Sequence, residues 1–371
     1  MMGLPPTMNA LRKPYGKEGL ELDQVAPTPN EVGPEDVLIK VLRASVCGTD
    51  LHIFKSDPSI RDRVAHNQII GHEFCGEVME VGEQVTILAK GDIVSSESHI
   101  VCGTCFQCTN GQPHLCQEIS LIGVDRPGGL AQFVVVPAKN AIKIQGIPLE
   151  VASFMDAYGN AVDTAMTVGL AAKTVLITGC GPQGLMAIAL AVALGAKQII
   201  ATEVSKMRID MAWEILGKHL QDDSNHSKSS TRKDNILNPK DRNLISNIYE
   251  LTGGLGVDVL LEMSGHPSAI TDGIAALRSG GNAVILGLAS DKIELEWNDL
   301  VFKGITVHFR YGRKLYETWT NGQMLLKSGL INLESLIHRP YYKLEEFDVA
   351  FQTLLKGEAA KVIFTPNTDY V

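Results

Sequence analysis

Four cysteines lie close together in the first third of this 371-residue chain. Cys102, Cys105, Cys108 and Cys116 follow a C-x2-C-x2-C-x7-C spacing, which lets four thiolates converge on one tetrahedral metal ion. Zinc and iron–sulfur clusters are the centres that commonly use such a set. Because four thiolates fill the coordination shell of zinc, we predict a closed structural zinc site. An iron–sulfur cluster and redox thiols are the alternatives.

A second set of ligand-type residues lies upstream of these cysteines. Cys47 precedes Gly71-His72-Glu73 by about 25 residues. A thiolate, an imidazole and a carboxylate suit a catalytic zinc ion, which keeps its remaining position open for water or substrate. Taken alone, Cys47 could equally be a core thiol and His72 a core histidine. The prediction of a catalytic site therefore depends on both sets occurring in one chain.

A glycine-rich turn predicts that the chain binds a dinucleotide. Gly179, Gly181 and Gly184 form a G-x-G-x-x-G pattern between an apolar segment ending at Thr178 and an apolar helix. In this pattern the glycines allow a tight turn, close approach of a pyrophosphate, and close packing of helix on strand. Glu203, at the end of the next predicted strand, is expected to accept hydrogen bonds from the adenosine ribose and to favour NAD over NADP. A plain turn with a surface glutamate is the alternative.

Two kinds of secondary structure must position these residues. Up to about residue 150 the pattern favours short strands of a partly open β-barrel, at Asp36–Leu42, Val78–Val81, Asp92–Val94 and Gln132–Pro137. From Asn160 onward, predicted strands alternate with helices, which indicates a doubly wound parallel sheet. Its strands are predicted at Thr174–Thr178, Gln198–Thr202, Val257–Leu261, Ala283–Leu286 and Thr306–His308. A polar stretch at about 219–241 is expected to be an exposed insert in this sheet domain.

Composition narrows the function classes. The length suggests two domains, and 45% hydrophobic with 20% charged residues is ordinary for an enzyme. A net charge of −9 disfavours nucleic acid and anionic membranes as partners. The longest apolar run, Leu185–Leu194, is about half of what a membrane span needs. Seven cysteines without a signal-peptide pattern favour the cytoplasm.

The combination of these features resembles the zinc-dependent medium-chain alcohol dehydrogenases, whose G-H-E-x-x-G hallmark occurs here from Gly71 to Gly76. The resemblance implies an α/β protein with a Rossmann NAD-binding domain over residues 158–308. It also implies a GroES-like barrel as catalytic domain over 1–157 and 309–371, with a structural zinc lobe at about 97–118. A small secondary alcohol as substrate and a homotetramer are further expectations from the family.

The resemblance also assigns catalytic and metal-binding roles. It identifies Cys47, His72 and Glu73 as ligands of the catalytic zinc ion, and the four clustered cysteines as ligands of the structural one. Thr49 and His52 match the proton relay of the family. Asp156 matches an acidic residue beside the zinc, and His99 a histidine associated with substrate selection.

The remaining matches are expected NAD contacts in the second half of the chain. Besides the three glycines they are Gln183, Glu203, Arg208, Leu286, Gly287, Leu288, Arg310 and Tyr311. Cys75 and Cys180 have no role in this comparison, and Cys75 is interpreted as a small core residue.

Overall fold

The computed structural model describes residues 4–222, 235–289 and 291–367, which divide into two compact units. Unit 1 contains the described residues of the ranges 1–157 and 337–371, and unit 2 those of 158–336. Among the described residues, no helix is both long enough and apolar enough to cross a membrane.

Strands dominate unit 1, and strands alternate with helices in unit 2. The strands are β1 Thr7–Lys13, β2 Glu21–Pro27, β3 Asp36–Ser45, β4 Gln68–Ile69, β5 Glu73–Val81, β6 Ile93–Ser96, β7 His99–Ile100, β8 Ser120–Leu121, β9 Phe133–Pro137, β10 Ala141–Lys143, β11 Thr174–Thr178, β12 Gln198–Thr202, β13 Asn235–Leu237, β14 Val257–Glu262, β15 Leu277–Ile285, β16 Thr306–Phe309 and β17 Ile363–Phe364. The helices are α1 Gly48–Phe54, α2 Pro58–Arg61, α3 Phe106–Thr109, α4 Leu149–Ser153, α5 Met155–Met166, α6 Pro182–Ala193, α7 Lys206–Asp222, α8 Leu244–Leu251, α9 Pro267–Ala275, α10 Trp297–Lys303, α11 Glu317–Lys327 and α12 Phe347–Leu355.

Unit 1 is built around the long strand β3. A six-stranded sheet runs in the order β10-β6-β5-β3-β17, and β9 also pairs with β3. β3 and β5 are antiparallel, as are β3 and β9. Apolar side chains of β3 such as Val37, Ile39 and Val41 are fully buried, because this strand has neighbours on both sides and packs into the main core of the unit. The expected barrel-like unit is confirmed, with β2, β1 and β4 forming a smaller sheet beside it.

Unit 2 is a parallel sheet with helices between its strands. The order is β13-β12-β11-β14-β15-β16, and all neighbouring strands are parallel. The strand order reverses between β11 and β14, so the ends of these two strands border the crevice in which doubly wound sheets bind ligands. The sequence predicted the parallel sheet correctly, including the bounds of β11 and β12.

The end of the predicted polar insert forms a short strand. Residues 223–234, which carry most of the insert predicted at about 219–241, lie outside the described residues. Its described end is not a loop, because Asn235–Leu237 forms β13 and pairs with β12. A strand of three residues is too short to show a periodic pattern, so sequence analysis missed it.

The chain leaves unit 2 between Leu336 and Ile337, later than the 308/309 boundary expected from the sequence. Contacts within unit 2 explain this division. Arg313 is fully buried and donates to Asn160 Oδ1 at 3.1 Å. A Cβ atom on Gly322 of α11 would lie 3.0 Å from the Tyr158 ring. The segment after β16 thus packs on α5 within unit 2.

The start of α6 depends on a close approach of two backbone segments. A Cβ atom on Gly184 would overlap the carbonyl oxygen of Gly179, and rigid backbone cannot move away without distorting the turn. Gly184→Ala should therefore lower the stability of the protein by about 2 kcal/mol or more, seen as a lower Tm in calorimetry. Unfolding at the wild-type temperature would contradict this account.

A matched glycine provides the control for this substitution. Gly217 lies in α7, and an added Cβ atom would meet nothing within 4 Å. Gly217→Ala should leave Tm unchanged or raise it, because alanine stabilises a helix interior by roughly 0.5–1 kcal/mol relative to glycine.

Candidate active site and metal centres

The four clustered cysteines lie together in unit 1. The sulfur atoms of Cys102, Cys105, Cys108 and Cys116 are within 4.8 Å of one another. α3 begins directly after Cys105, and a 3-10 turn at Pro113–Leu115 ends directly before Cys116, so these two turns fold the segment back on itself. All seven cysteines belong to the described residues and are free thiols. The arrangement suits one metal ion and excludes disulfides from this structure.

Backbone N–H groups lower the pKa values of Cys102 and Cys105 and so favour their thiolate forms, whereas burial raises the pKa of Cys108 to about 12. The N–H group of Cys105 donates to Cys102 Sγ at 3.3 Å, and those of Cys102 and Glu118 donate to Cys116 Sγ at 3.4 Å. The N–H groups of Thr104 and Cys105 lower the pKa of the Cys102 thiol to about 6. Thiolates held this close repel one another, and a divalent cation would relieve that repulsion. The cluster therefore fits a zinc ion.

Strand pairing brings the second ligand set together. Ser45 lies opposite Glu73 in the β3–β5 ladder, so Cys47, which is the N-cap of α1, comes next to His72. Gly71 turns the chain before His72 with a φ of +94°, a conformation that favours glycine. The ligand-type atoms of Cys47, His72 and Glu73 lie within 4.8 Å of one another.

Unsatisfied polar atoms make this second cluster suited to a cation. Glu73 Oε1, His72 Nδ1 and Asp50 Oδ1 are buried and have no hydrogen-bond partner among the described residues. Asp50 Oδ1 is 3.7 Å from His72 Nδ1, and Asp50 Oδ2 accepts the N–H group of Cys47 at 2.8 Å. Buried polar groups left without partners cost free energy. A zinc ion bound by Cys47, His72 and Glu73, with Asp50 behind the histidine, would satisfy them.

The surrounding anions control the protonation of His72. Burial disfavours the imidazolium form, but the charges of Asp50, Cys47 and Asp156 outweigh burial and hold the pKa of His72 well above its usual range. Burial in turn raises the pKa of Asp50. Because a metal ligand must be a neutral imidazole, cation binding at this site displaces a proton.

A buried cation that sequence analysis missed lies beside this cluster. Lys361 Nζ is 2.5 Å from Glu73 Oε2, with both side chains almost completely buried, and also donates to Val46 O at 3.3 Å. The pairing of Ile363 with Ser45 brings Lys361 here. Because Lys361 holds Oε2, Oε1 is the oxygen of Glu73 that is left for a metal. Lys361 is 288 positions from Glu73, so no local pattern could have identified it.

Thr49 and His52 lie on α1, whose N-cap is Cys47. Thr49 is half-buried, whereas the His52 side chain is 58% exposed and its Nδ1 is 3.0 Å from Asp57 Oδ2. Hydrogen bonds from Ser59 and then from His52 lower the pKa of Asp57 to about 2, so Asp57 is anionic at neutral pH. A half-buried hydroxyl followed by an exposed imidazole is what a proton path to solvent requires.

Asp156 and His99, both singled out in the sequence, belong to a third cluster in unit 1. Ligand-type atoms of Glu97, His99 and Asp156 lie within 4.8 Å of one another. Asp156 is buried at the start of α5, and its charge acts on His72. Glu97 was not predicted, although an acidic residue two positions before His99 was a usable signal. Cys75 lies elsewhere, buried and donating to Leu149 O, as expected for a core residue.

The predicted dinucleotide turn joins β11 to α6. Gly179 has a φ of +82°, and Gly181 is the N-cap of α6. A Cβ atom on Gly181 would meet nothing within 4 Å, so the turn is open to a ligand at this point. Gln183 follows in the first turn of α6, where free N–H groups and the helix dipole attract phosphates.

Glu203 lies at the end of β12, as expected, and has more partners than the sequence indicated. Its carboxylate accepts the N–H groups of Cys180, Val204 and Ser205 at 2.7–2.9 Å. Arg208 Nη1 is 3.8 Å away. Glu203 thus also holds the glycine turn in place, in addition to any contact with a ribose.

The other predicted cofactor residues follow β15 and β16. Leu286, Gly287 and Leu288 continue from the end of β15, with Leu288 exposed. Arg310 follows β16 and pairs with the buried Asp163, while Tyr311 is half-exposed.

Glu262 at the end of β14 is a buried carboxylate that sequence analysis did not assign. It accepts hydrogen bonds from the Thr178 hydroxyl at 3.2 Å, the Ser264 N–H and hydroxyl at 2.9 and 2.6 Å, and the Gly265 N–H at 3.0 Å. It therefore ties together the ends of β11 and β14, where the strand order reverses.

The two metal-binding clusters should respond differently to loss of one thiolate. We expect about two zinc ions per chain. Cys105→Ser should lower zinc content and Tm together, because binding of a structural metal contributes directly to folding. Cys47→Ser should abolish turnover with Tm close to that of the wild type. Metal analysis, calorimetry and activity on the same samples check this. If Cys47→Ser unfolds the protein while Cys105→Ser only slows turnover, the two roles are reversed.

Comparison with known proteins identifies the family. Two family models match the chain, "Alcohol dehydrogenase GroES-like domain" over residues 33–146 and "Zinc-binding dehydrogenase" over 182–327. The L-threonine 3-dehydrogenase of Pyrococcus furiosus is 40% identical over 352 residues, 94% of this chain and 95% of that protein. The L-threonine 3-dehydrogenase of Bacillus licheniformis is 40% identical over 362 residues, 97% of this chain and 99% of that protein.

Solved structures agree with the fold. The 2R,3R-butanediol dehydrogenase of Bacillus subtilis superposes with a TM-score of 0.84 at 26% identity, covering 97% of this chain and 100% of that one. The resemblance and the fold class expected from the sequence, a Rossmann-like parallel sheet with a GroES-like unit, are confirmed. The chain therefore belongs to the zinc-binding dehydrogenases of the alcohol dehydrogenase family.

Proposed function

We propose that this chain oxidises L-threonine to 2-amino-3-oxobutyrate with NAD, a step of threonine catabolism. The observation that carries the proposal is the Cys47-His72-Glu73 cluster with its unsatisfied Glu73 oxygen, in a chain 40% identical to an L-threonine 3-dehydrogenase over 94% of its length. The segment Tyr311–Trp319 supports threonine, because polyol dehydrogenases do not usually carry it. A polyol, sugar or other secondary-alcohol dehydrogenase is the alternative, favoured by the structural likeness to a butanediol dehydrogenase.

The proposed roles in unit 1 follow from position and charge. Zinc, when bound, lowers the pKa of an alcohol oxygen, and NAD, when bound, accepts the hydride. Cys47, His72 and Glu73 would hold the catalytic zinc ion, and the four clustered cysteines the structural one. Thr49 takes the hydroxyl proton of the substrate and passes it to His52, which releases it to solvent. Asp156 adds negative charge beside His72 and so stabilises a cation at the site.

The proposed NAD contacts lie at the carboxyl ends of the strands in unit 2. The turn that contains Gly179, Gly181, Gln183 and Gly184 receives the pyrophosphate at the start of α6, and Gly184 allows this turn to pack closely. Glu203 faces the adenosine ribose, and a 2′-phosphate beside this carboxylate would cost on the order of a few kcal/mol. Leu286, Gly287, Leu288, Arg310 and Tyr311 complete the contact set, together with Arg208.

Exposed apolar side chains of unit 2 bear on the assembly of the chain. We propose a homotetramer acting in the cytoplasm, with unit 1 as the catalytic and unit 2 as the NAD-binding domain. Large apolar side chains on α10 and β16 of unit 2 support assembly, since Trp297, Phe302 and Phe309 are 73%, 83% and 79% exposed. A native mass of one chain in light scattering would contradict the tetramer.

A substrate panel tests the proposed function. The purified chain should form NADH with L-threonine at a kcat/KM at least tenfold above that with sorbitol, 2,3-butanediol or glucose. With L-threonine, NAD should exceed NADP by roughly tenfold or more, because tenfold corresponds to about 1.4 kcal/mol. Zinc per chain is measured on the same sample to exclude loss of metal. Preference for a polyol would favour the alternative of a polyol dehydrogenase. Equal use of NADP would show that Glu203 does not discriminate between the two cofactors.

The proton relay predicts a pH-dependent defect. His52→Ala should lower kcat, most strongly at low pH, where release of the substrate proton is hardest. Added imidazole should restore part of the rate. The matched control is His66→Ala, which removes another exposed histidine of unit 1. A pH–rate profile of His52→Ala that is parallel to the wild-type profile would exclude His52 from the relay.

A further inference from the structure

A turn after α1 brings Asp57 back to the exposed histidine of this helix. Ser56 has a φ of +54°, a conformation that residues other than glycine rarely adopt, and its hydroxyl donates to Lys17 O at 2.7 Å. The N–H group of Asp57 then donates to His52 O at 3.0 Å, and Asp57 Oδ2 is 3.0 Å from His52 Nδ1. Asp57 is thus tied to His52 through both its backbone and its side chain.

The two carboxylate oxygens of Asp57 have separate partners. Oδ1 accepts the N–H group of Ser59 at 2.9 Å and the Ser59 hydroxyl at 2.7 Å, which makes Asp57 the N-cap of α2. Oδ2 faces His52 Nδ1. The hydrogen bonds from Ser59, and then that from His52, lower the pKa of Asp57 to about 2, so the carboxylate is ionised at neutral pH. Because an ionised carboxylate can only accept hydrogen bonds, His52 Nδ1 must donate.

The proton on Nδ1 determines what the other ring nitrogen of His52 can do. In a neutral imidazole with Nδ1–H, Nε2 has a free lone pair and can accept a proton. Thr49 precedes His52 by three positions on α1, and residues with this spacing lie on the same side of a helix. The His52 side chain is 58% exposed, so water reaches the ring. An imidazolium formed here would be stabilised by the anionic Asp57 at 3.0 Å.

We propose that Asp57 is a positioning residue that holds His52 as the Nδ1–H tautomer, so that Nε2 is the atom that passes the substrate proton to solvent. This inference rests on the proton relay of the proposed function, but not on L-threonine as the substrate. The hydroxyl proton of the alcohol passes to Thr49 while the Thr49 hydroxyl proton passes to His52 Nε2. The imidazolium then gives this proton to water or to a buffer base. Asp57 stays ionised throughout and acts only through His52.

Asp57→Asn should invert the tautomer while keeping the shape of the side chain. The Ser59 N–H group needs an acceptor, so the amide oxygen replaces Oδ1 and the amide NH2 group donates to His52 Nδ1. Asparagine is as good an N-cap as aspartate, so α2 should be retained. With NAD and L-threonine, proton release in stopped flow with a pH indicator should slow about tenfold, with KM for the alcohol unchanged. The loss is smaller than the ~10²–10⁴-fold contribution of a general acid or base, because water reaches this ring.

Three comparisons separate positioning from a general structural effect. Added imidazole should restore most of the proton release in Asp57→Asn, because a free base replaces Nε2. In a His52→Ala background, Asp57→Asn should cause no additional loss, because its effect passes through His52. Asp62→Asn, the same change at the exposed C-cap of α2 where Asp62 pairs with Arg61, should match the wild type. Unchanged proton release in Asp57→Asn, a loss that imidazole does not restore, or additive losses in the double variant would overturn the proposal.

A measurement on the wild-type protein does not depend on catalysis. Nitrogen-15 NMR of the histidine-labelled chain distinguishes the two tautomers, and the spectrum of His52→Gln identifies the His52 signals. In the neutral ring we expect a proton on Nδ1 alone, and on Nε2 alone in Asp57→Asn. A proton on Nε2 in the wild type would overturn the inference even if L-threonine is the substrate. If L-threonine is not oxidised, the proposed function fails, whereas the tautomer and proton release with 2,3-butanediol still test the role of Asp57.

Discussion

Buried negative charge in unit 1 is the constraint on which the site depends. Asp50, Glu73, Glu97 and Asp156 are each at most 4% exposed, and the thiol of Cys47 lies among them. Ionised groups in such surroundings are costly unless cations or hydrogen bonds compensate them. Lys361 compensates the charge of Glu73 through an ion pair. The remaining negative charge explains why protonated His72 is favoured here and why a divalent cation would be attracted to this cluster.

Buried carboxylates in unit 2 are stabilised by hydrogen bonds rather than by cations. Glu203 and Glu262 are also buried carboxylates at strand ends, but backbone N–H groups and hydroxyls satisfy their oxygens. Hydrogen bonds to a carboxylate are strong and directional, so these residues shape the turns after β11, β12 and β14. The carboxylates in unit 1 thus favour the binding of a cation, whereas those in unit 2 determine backbone geometry.

Much of the fold and of the candidate site could be predicted from the sequence, because the features concerned are encoded in short segments. The cysteine spacing, the glycine turn and the bounds of β11 and β12 depend on residues close in sequence, and the structure has them where they were expected. Lys361 escaped prediction for a different reason. Its position beside Glu73 arises from strand pairing, which brings together residues distant in the chain. Long-range register cannot be read from local periodicity, and neither could the packing of Gly322 on Tyr158 that keeps α11 in unit 2.

The hydrogen-bond partners of Glu203 bear on the choice between NAD and NADP, because they restrict the movement of its carboxylate. A surface glutamate could rotate away from a 2′-phosphate, and Arg208 could then accept the phosphate. Here three backbone N–H groups hold the carboxylate, and rotation would leave the buried N–H group of Cys180 without a partner, at a cost of about 1–3 kcal/mol. Arg208 is already near this carboxylate, so its charge is partly compensated before any phosphate arrives. The proposed preference for NAD thus rests on the rigidity of the turn as much as on the sign of the charge.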